Sequence, residues 1–380
     1  MKSIDIIKNN LPGVILSVCK TGNRIRHYCA GYANVETREL LSAEHIFQSG
    51  KITRMFTATL ILKRVEEGVL DLDSPLALLS NQHLLDGGRL KLIVNLYPYL
   101  KPVTLRELLN NTSGLPSYDE TVAYQKAFAA KPQKIWQAEN YLDLITGSNV
   151  RYRLGYLLPF RGILSDSATN YIIAGLVLEA ATGRKSSQQM RELFDSVSLK
   201  STHYCSYGVL EEDLLPQLAH GYLPISHPYA SGFSNQPVVT YNNNRELQVY
   251  DVTSAYNFNG LAGAASLSNT NDLIRWMRML LEGRILRGSL KQLFDGVPVD
   301  PKASPREDQD FYGLGGLYKT RFRRWGDVVW SAGNNLGYGV LVAHVIERNV
   351  TFALAVNVSR KIINFHEPTL VAPIFQDLLK

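Results

Sequence analysis

Strand-type apolar residues alternate with polar ones near both ends of the chain. Residues 13–19 and 24–32 lie on either side of a glycine-containing turn, a pattern typical of a β-hairpin. Further along, the same pattern predicts a second group of strands at 312–319, 327–331, 338–345 and 351–356. The segment 368–380 predicts a closing helix.

Helical periodicity dominates the middle of the chain. From residue 53 to 67, Phe56, Leu60 and Val65 fall close to helical spacing, and Gly68 stands where a helix C-cap belongs. Residues 207–256 favour irregular loops. Amphipathic helices are also predicted at 105–110, 170–182, 188–197 and 271–281.

Strands at both ends with helices between them predict an α/β (α+β) fold. We expect an antiparallel sheet built from both chain termini and flanked by helices. Segments 1–75 and 305–380 are predicted to form the sheet-containing domain, and 76–304 an inserted, mainly helical domain, with a cleft between the two. A chain of 380 residues with 45% hydrophobic content can bury a large core, which excludes disordered, fibrous and small disulfide-stapled proteins.

Charge and cysteine content exclude several kinds of partner and cofactor. The 40 Lys and Arg residues exceed the 34 Asp and Glu residues only mildly, so no nucleic-acid partner is predicted. Three cysteines are too few and too dispersed for a disulfide framework or a zinc site, and Cys19 and Cys29 are not equidistant from the intervening turn. The eight histidines show no metal-ligand spacing, so neither a metal nor another cofactor is implied.

The chain shows no apolar run near the roughly 20 residues that a membrane-spanning helix needs. No secretory leader is visible in MKSIDIIK, the first residues given. A leader that had been removed would give the same sequence. The location therefore stays open between the cytoplasm and secretion with leader removal.

Several short stretches, taken in order, reduce the number of folds that the sequence could adopt. They read FQSGKITRMFTA at 47–58, EEGVLDLDSP at 66–75, TLRELLNNTSGLP at 104–116 and GLAGAASLSN at 260–269. Together they resemble the serine β-lactamase and penicillin-binding protein superfamily, in its branch of class C β-lactamases, D-Ala-D-Ala carboxypeptidases and esterases. The resemblance covers nearly the whole chain and implies a serine-hydrolase fold.

The resemblance also implies three catalytic motifs, of which the first is S-x-x-K at the start of a helix. In that motif the lysine lies on the serine's helix face and takes its proton. Aligned on Phe47 and Gly50, Lys51 stands in the serine's place and Arg54 in the lysine's place. An acyl group on an amine would be a stable amide, and a guanidinium does not accept a proton near neutral pH.

The second family motif, Y-x-N or S-D-N, corresponds to the segment just before Asn170. Leu164, Ser165 or Asp166 would occupy the tyrosine's place, and Ser165-Asp166-Ser167 is one change from S-D-N. Such a cluster before a helix is also typical of an N-cap, which we favour here.

The third family motif, K-T-G or H-x-G, corresponds to Ser331-Ala332-Gly333. Gly333 preserves the glycine of the motif, whereas Ser331 replaces its cationic or imidazole side chain. All three motifs are therefore altered, while the sequence around them is retained.

Two hypotheses follow for function. In the first, the protein has lost acyl-enzyme catalysis, and Lys51, Arg54 and Ser331 bind a small anionic ligand or a protein partner in the old cleft. A variant of this hypothesis pairs the two cations with Asp166 or Glu179 and leaves no ligand.

In the second hypothesis, the protein is a divergent D-Ala-D-Ala carboxypeptidase, β-lactamase-type hydrolase or esterase that uses a nonstandard serine. Ser165 or Ser331 would face the cleft with Lys51 as base, whereas Ser49 is expected to cap the helix. A reactive amine at Lys51 is a further variant. Tyrosines of the loop at 228–256 could line the cleft, namely Tyr229, Tyr241, Tyr250 and Tyr256.

Overall fold

The structure is a computed structural model that describes most of the chain. The described residues are 11–20, 24–81, 85, 87–132, 134–146, 161–205, 212–242, 246–253, 261–303, 308–322, 326–359, 366, 371 and 374. The predicted closing helix at 368–380 therefore lies outside them, apart from the buried Val371 and Ile374.

Strands from both ends of the chain meet in one antiparallel sheet. In chain order, the strands of the described residues are Gly13–Cys19 (β1), Ile25–Asn34 (β2), Glu39–Leu40 (β3), Phe47–Gln48 (β4), His203–Tyr204 (β5), Tyr222–Pro224 (β6), Val238–Asn242 (β7), Glu246–Asp251 (β8), Ser266–Ser268 (β9), Val297–Pro298 (β10), Gln309–Tyr312 (β11), Tyr318–Phe322 (β12), Gly326–Asn335 (β13), Tyr338–Val345 (β14) and Val350–Val356 (β15). The large sheet has nine strands in the order β10-β11-β12-β13-β14-β15-β1-β2-β3.

The contact between the two ends is the pairing of β1 with β15. Val14 lies opposite Val356 and Leu16 opposite Leu354, in antiparallel register. All seven residues of β1 and all seven of β15 are buried, because both faces of the sheet are covered. The predicted fold class, an antiparallel sheet built from both termini and flanked by helices, is confirmed.

Ten α-helices lie among the described residues. They are Thr53–Glu66 (α1), Leu76–Leu79 (α2), Gly87–Leu96 (α3), Leu105–Leu109 (α4), Val122–Ala130 (α5), Ala138–Thr146 (α6), Ala168–Thr182 (α7), Ser186–Ser196 (α8), Thr270–Leu281 (α9) and Leu290–Phe294 (α10). The helix expected at 53–67 matches α1 closely. The division into 1–75 with 305–380 and 76–304 stays a prediction, and α9, from the second part, packs on β1, β14 and β15.

The strand predicted at 312–319 is wrong in one respect, because it is interrupted. Strands β11 and β12 are separated by a 3₁₀ turn at Leu314–Gly316. Gly315 and Gly316 both have left-handed backbone conformations. A Cβ on Gly315 would lie 2.8 Å from the Cβ of Ala58 in α1, so the glycines let the turn pack directly on that helix.

The loop predicted over 207–256 is also wrong in part. Strands β6, β8 and β7 form a three-stranded sheet in that order. Val239 and Tyr241 of β7 are buried while Val238 and Thr240 are exposed, which is the two-residue period of a half-buried strand. Val239 and Val249 pack with the outer face of the large sheet, and this tertiary contact stabilises the hairpin.

The cysteines follow the register of the first hairpin. Cys19 lies opposite Ile25, and Cys29 lies opposite Ile15. Cys19, Cys29 and Cys205 are all free thiols. The expectation that the hairpin does not place Cys19 opposite Cys29 is confirmed by this register.

The entrance to α1 is fixed by close packing against β13. A 3₁₀ turn at Gly50–Ile52 precedes α1 and lies on the strand. A Cβ on Gly333 would come 1.8 Å from the carbonyl oxygen of Ser49, and one on Gly50 would come 2.8 Å from that of Asn334. Two glycines therefore let the two backbones touch, and they set the position of Lys51 between them.

We expect Gly333→Ala to destabilise the fold by about 3 kcal/mol, because the added methyl group overlaps a backbone carbonyl that cannot rotate away. Urea unfolding followed by circular dichroism measures the change. Gly88→Ala in α3 is the matched control, since no atom lies within 4 Å of its added Cβ, and it should be neutral or stabilising by up to about 1 kcal/mol. Equal stability of the two variants would contradict the close packing.

Candidate functional site

Lys51 and Arg54 lie side by side at the beginning of α1. Lys51 belongs to the preceding 3₁₀ turn and its side chain is 43% exposed, whereas Arg54, in the first turn of α1, is 2% exposed. The Lys51 Nζ and Arg54 Nη1 atoms both donate to the carboxylate of Asp166, the latter at 2.5 Å. The structure thus brings together three of the predicted site residues.

A polar loop holds Asp166 in place. Asn111 donates from Nδ2 to Asp166 Oδ1 at 3.1 Å and accepts from Asn170 Nδ2 at 2.8 Å. The Ser165 backbone N–H donates to the carbonyl of Asn111 at 2.9 Å. Asn111 has a left-handed backbone with φ of 58°, which asparagine tolerates better than most residues. Sequence reasoning did not select Asn111, although it lies in the stretch NNTSG that carries the family resemblance.

The charges of this cluster are strongly coupled. Burial alone would raise the pKa of Asp166, but the charges of Arg54 and Lys51 and their hydrogen bonds outweigh it and hold that pKa well below its usual range. Burial opposes the charge of Arg54, yet Asp166 keeps the pKa of the guanidinium above its ordinary value. Near neutral pH, Arg54 and Asp166 form a fixed ion pair that neither releases nor accepts a proton.

Aromatic rings enclose the rest of Arg54. Its Cζ lies 4.7 Å from the centre of the Tyr171 ring, and its Nη1 is 3.5 Å from the Tyr312 hydroxyl. The Tyr312 hydroxyl also accepts from Asn111 Nδ2 at 2.8 Å. The Arg54 Nε atom is buried with no hydrogen-bond partner among the described residues. Arg54 is therefore built into the core of the molecule.

Two predicted members of the site lie apart from this cluster. Ser331 is fully buried on β13, does not line the cleft, and its Oγ has no hydrogen-bond partner in the described part of the chain. Glu179 accepts from the backbone and hydroxyl of Ser186 and lies 3.7 Å from Arg89. The predicted pairing of the two cations with Asp166 is present. The predicted pairing with Glu179 is wrong, because Glu179 lies at the far end of α7.

The serines near the motifs have different roles from those predicted. Ser49 does not cap the helix, because its hydroxyl donates to the carbonyl of Ser266 at 2.9 Å. Ser167 occupies the N-cap position of α7, but its hydroxyl donates to Pro116 at 3.2 Å. The Ala168 N–H donates instead to the hydroxyl of Ser117, so a distant loop caps this helix. Ser165 is exposed beside Asp166.

The cleft above Lys51 has a volume of about 270 Å³ and a largely aromatic wall. Of the tyrosines expected to wall it, Tyr229 lines the cleft, Tyr241 and Tyr250 do not, and Tyr256 lies outside the described residues. Asp119 and His227 add polar groups, and burial lowers the pKa of His227. Aromatic side chains that the sequence did not single out complete the wall, namely Tyr118, Tyr124, Phe128 and Tyr338.

Metal-binding and membrane-spanning features were sought in the same residues. Within the described ranges, no three His, Cys, Asp or Glu side chains are grouped so that they could hold a metal ion. His220 pairs with Asp251 at 2.6 Å instead. None of the helices described is both long and apolar enough to cross a membrane.

Comparison with known proteins agrees with this architecture. The family model described as Beta-lactamase matches residues 5–363. Penicillin-binding protein 4* of Bacillus subtilis (strain 168) is 23% identical over 349 residues, which are 90% of this chain and 67% of that protein. Protein flp of Staphylococcus aureus (strain MW2) is 22% identical over 284 residues, 73% of this chain and 47% of its own. The chain thus spans about two thirds of the first relative and about half of the second.

Solved structures share the fold along almost the whole chain. The D-amino acid amidase from Ochrobactrum anthropi SV3, in complex with L-phenylalanine, has a TM-score of 0.74 at 22% identity and covers 98% of this chain and 95% of its own. The penicillin binding protein from Bacillus halodurans has a TM-score of 0.69 at 17% identity and covers 98% of both chains. Likenesses at these identities show the fold alone, and they confirm the predicted fold class.

We expect Asp166→Asn to destabilise the protein by about 2 kcal/mol, because it leaves the buried Arg54 charge without a counter-ion. This destabilisation is smaller than that expected for a fully buried ion pair, because the Asp166 side chain is 45% exposed. Because the pKa of Asp166 is lowered in the folded chain, the stabilisation is complete above the unfolded pKa of about 4 and declines only as the pH falls further.

Thermal and urea unfolding between neutral and acid pH measure this difference. Asp73→Asn is the matched control, because Asp73 forms an exposed bidentate pair with Arg106, and we expect it to cost under about 1 kcal/mol. An Asp166→Asn variant as stable as Asp73→Asn at neutral pH would show that Arg54 does not depend on Asp166.

Proposed function

The chain belongs to the β-lactamase family, and on this basis we propose that it binds a small zwitterionic ligand of the amino-acid class in the cleft without forming an acyl-enzyme. One observation carries the proposal: Lys51 and Arg54, at the start of α1, both donate to Asp166. The family resemblance places the nucleophilic serine and its general base at these two positions.

Arg54 and Asp166, two members of the ion-pair cluster, are unsuited to activating a hydroxyl. Arg54 stays protonated, and a carboxylate with a lowered pKa, such as that of Asp166, is a weak base. Ser49, the serine nearest in sequence to Lys51, is buried and donates to Ser266. These contacts support binding without covalent chemistry at this end of the helix.

The charges along the cleft favour a zwitterion over a simple anion. Asp166 neutralises one of the two cations, so only the half-exposed Lys51 ammonium is suited to a ligand carboxylate. Asp119 lines the same cleft and is suited to an ammonium group. This refines the hypothesis of an anionic ligand that Lys51, Arg54 and Ser331 would bind, because Ser331 does not line the cleft.

The aromatic wall favours an apolar side chain on that ligand. The Phe128 ring packs edge-on against Tyr229 at 5.5 Å between centres and stacks with Tyr124 at 6.0 Å. The D-amino acid amidase of the same fold was solved with L-phenylalanine and with D-phenylalanine. An amino acid of this size and polarity is therefore the ligand class that we propose.

A second candidate function is a divergent hydrolase that uses a nonstandard serine. The exposed side chain of Ser165 favours it, because this residue directly precedes Asp166, which Lys51 contacts. Ser331 is a weaker candidate, since it is fully buried. The family fold is compatible with both functions.

Covalent labelling separates the two functions. We expect the intact mass to stay unchanged after incubation with a fluorophosphonate or with a penicillin, because the Ser49 hydroxyl beside Lys51 is buried and donates to Ser266. A stoichiometric adduct on any serine would overturn the non-covalent proposal. Loss of that adduct in Ser165→Ala would identify Ser165 as the nucleophile of the alternative.

Ligand binding tests the proposal directly. Calorimetric titration with D- and L-phenylalanine should give binding by at least one enantiomer, and Lys51→Gln should weaken it about tenfold, the loss of roughly 1.4 kcal/mol of charge-assisted hydrogen bonding. Lys126→Gln, an exposed change on α5 away from the cleft lining, is the matched control.

Two analogues show which end of the ligand each charge recognises. Phenylalanine amide lacks the carboxylate and should bind more weakly to the unmodified chain, with little further loss in Lys51→Gln. Phenylpropionate lacks the ammonium and should bind more weakly through the lost contact with Asp119. If none of these compounds binds at millimolar concentration, the proposal is contradicted.

A further inference from the structure

A second groove lies between α9 and the hairpin of β1 and β2. It has a volume of about 440 Å³, larger than the 270 Å³ of the cleft, and the two share no lining residue. Ile25 and His27 of β2 form one side, and Arg275 and Arg278 of α9 form the other, with Arg284 just beyond the helix. Nothing in the proposed function of the cleft uses this groove.

Positive charge in the groove is only partly balanced. Its three arginines share one lining carboxylate, Glu282, which lies 3.4 Å from Arg284 Nη1 and 3.8 Å from Arg278 Nη2. By contrast, Arg106 binds Asp73 through two hydrogen bonds of 2.7 and 2.8 Å. These Glu282 contacts are longer than those of the Arg106 pair, and the exposed Arg275 presents its guanidinium donors to the groove.

The spacing of the arginines suits a compact anion. Arg275 and Arg278 are three residues apart on α9, so their side chains project from the same face of the helix. Arg278 is oriented by a hydrogen bond from Nη1 to Asn349 Oδ1 at 3.2 Å. Guanidinium groups present paired donors that match phosphoryl oxygens.

The remaining lining adds apolar area and a neutral polar group. Ile25, Ile274 and Met279 line the groove beside the arginines. His27 forms a 2.7 Å hydrogen bond with the hydroxyl of Ser17, and burial lowers the pKa of His27 although the charge of Glu44 opposes this. A ligand with a charged head and an apolar body therefore fits this lining better than a bare ion.

We propose that this groove binds a small phosphorylated organic molecule, with its phosphoryl oxygens on Arg275 and Arg278 and its apolar part against Ile25 and Met279. The volume lies within the range of small-molecule sites in proteins. The groove is bounded by one helix and one hairpin, so it suits a compact ligand more than an extended polymer.

Pyrophosphate serves as the probe for the phosphoryl contacts. Calorimetric titration of the full chain at fixed ionic strength should show one site, with Arg275→Gln weakening binding at least about fivefold and Arg278→Gln at least as much. Arg275 is exposed on α9, so its substitution should leave the fold intact, which circular dichroism checks. Phenyl phosphate should bind more tightly than inorganic phosphate if the apolar lining contributes.

Arg26→Gln is the matched control for loss of charge. Arg26 lies on β2 between Ile25 and His27, and its side chain projects from the opposite face of the strand. Equal weakening by Arg26→Gln and Arg275→Gln would mean nonspecific attraction and would overturn the proposal, as would absence of pyrophosphate binding. Phenylalanine binding in the cleft should be unchanged in Arg275→Gln, so this proposal can fail independently of the first.

Discussion

The buried guanidinium of Arg54 is the constraint on which the site depends. A charged group with 2% of its side chain exposed requires a counter-ion and hydrogen bonds, because burial removes it from water. Asp166 supplies the charge, and Tyr171 and Tyr312 enclose the remainder of the side chain. Since Asp166 is also held by Asn111, the ion pair ties the loop before α7 to the start of α1, where Lys51 and Arg54 line the cleft.

This arrangement keeps the family framework around the start of α1. Gly50 and Gly333 still let the helix entrance touch β13, so the position of residue 51 is retained. Residue 51 carries an ammonium paired with the carboxylate of Asp166. The family resemblance implies a hydroxyl at this position, with a base beside it. The side chains at positions 51 and 54 can differ from the family pattern without loss of the fold, because the glycine contacts that hold the helix entrance on β13 are backbone contacts.

The tertiary structure also decides which of the positive charges have a nearby carboxylate. From the sequence, Lys51 and Arg54 looked like the place where the small positive surplus could act. In the folded chain Asp166 offsets one of those charges, whereas the arginines around α9 share a single glutamate at long distance. Three arginines therefore line the groove beside the first hairpin, which no family motif marks.

The sequence alone determined what depends on local periodicity and on residue identity. The bounds of β1, β14 and α1, the meeting of the two chain ends in one sheet, and the family could all be predicted. Only the tertiary structure decided which carboxylate serves the cations, since Asp166 and Arg54 are 112 residues apart. The same holds for the Ser49 hydroxyl, which donates to Ser266 rather than capping a helix. Partners so distant along the chain are chosen by how helices and strands pack, and a hydrophobic pattern carries no information about that choice.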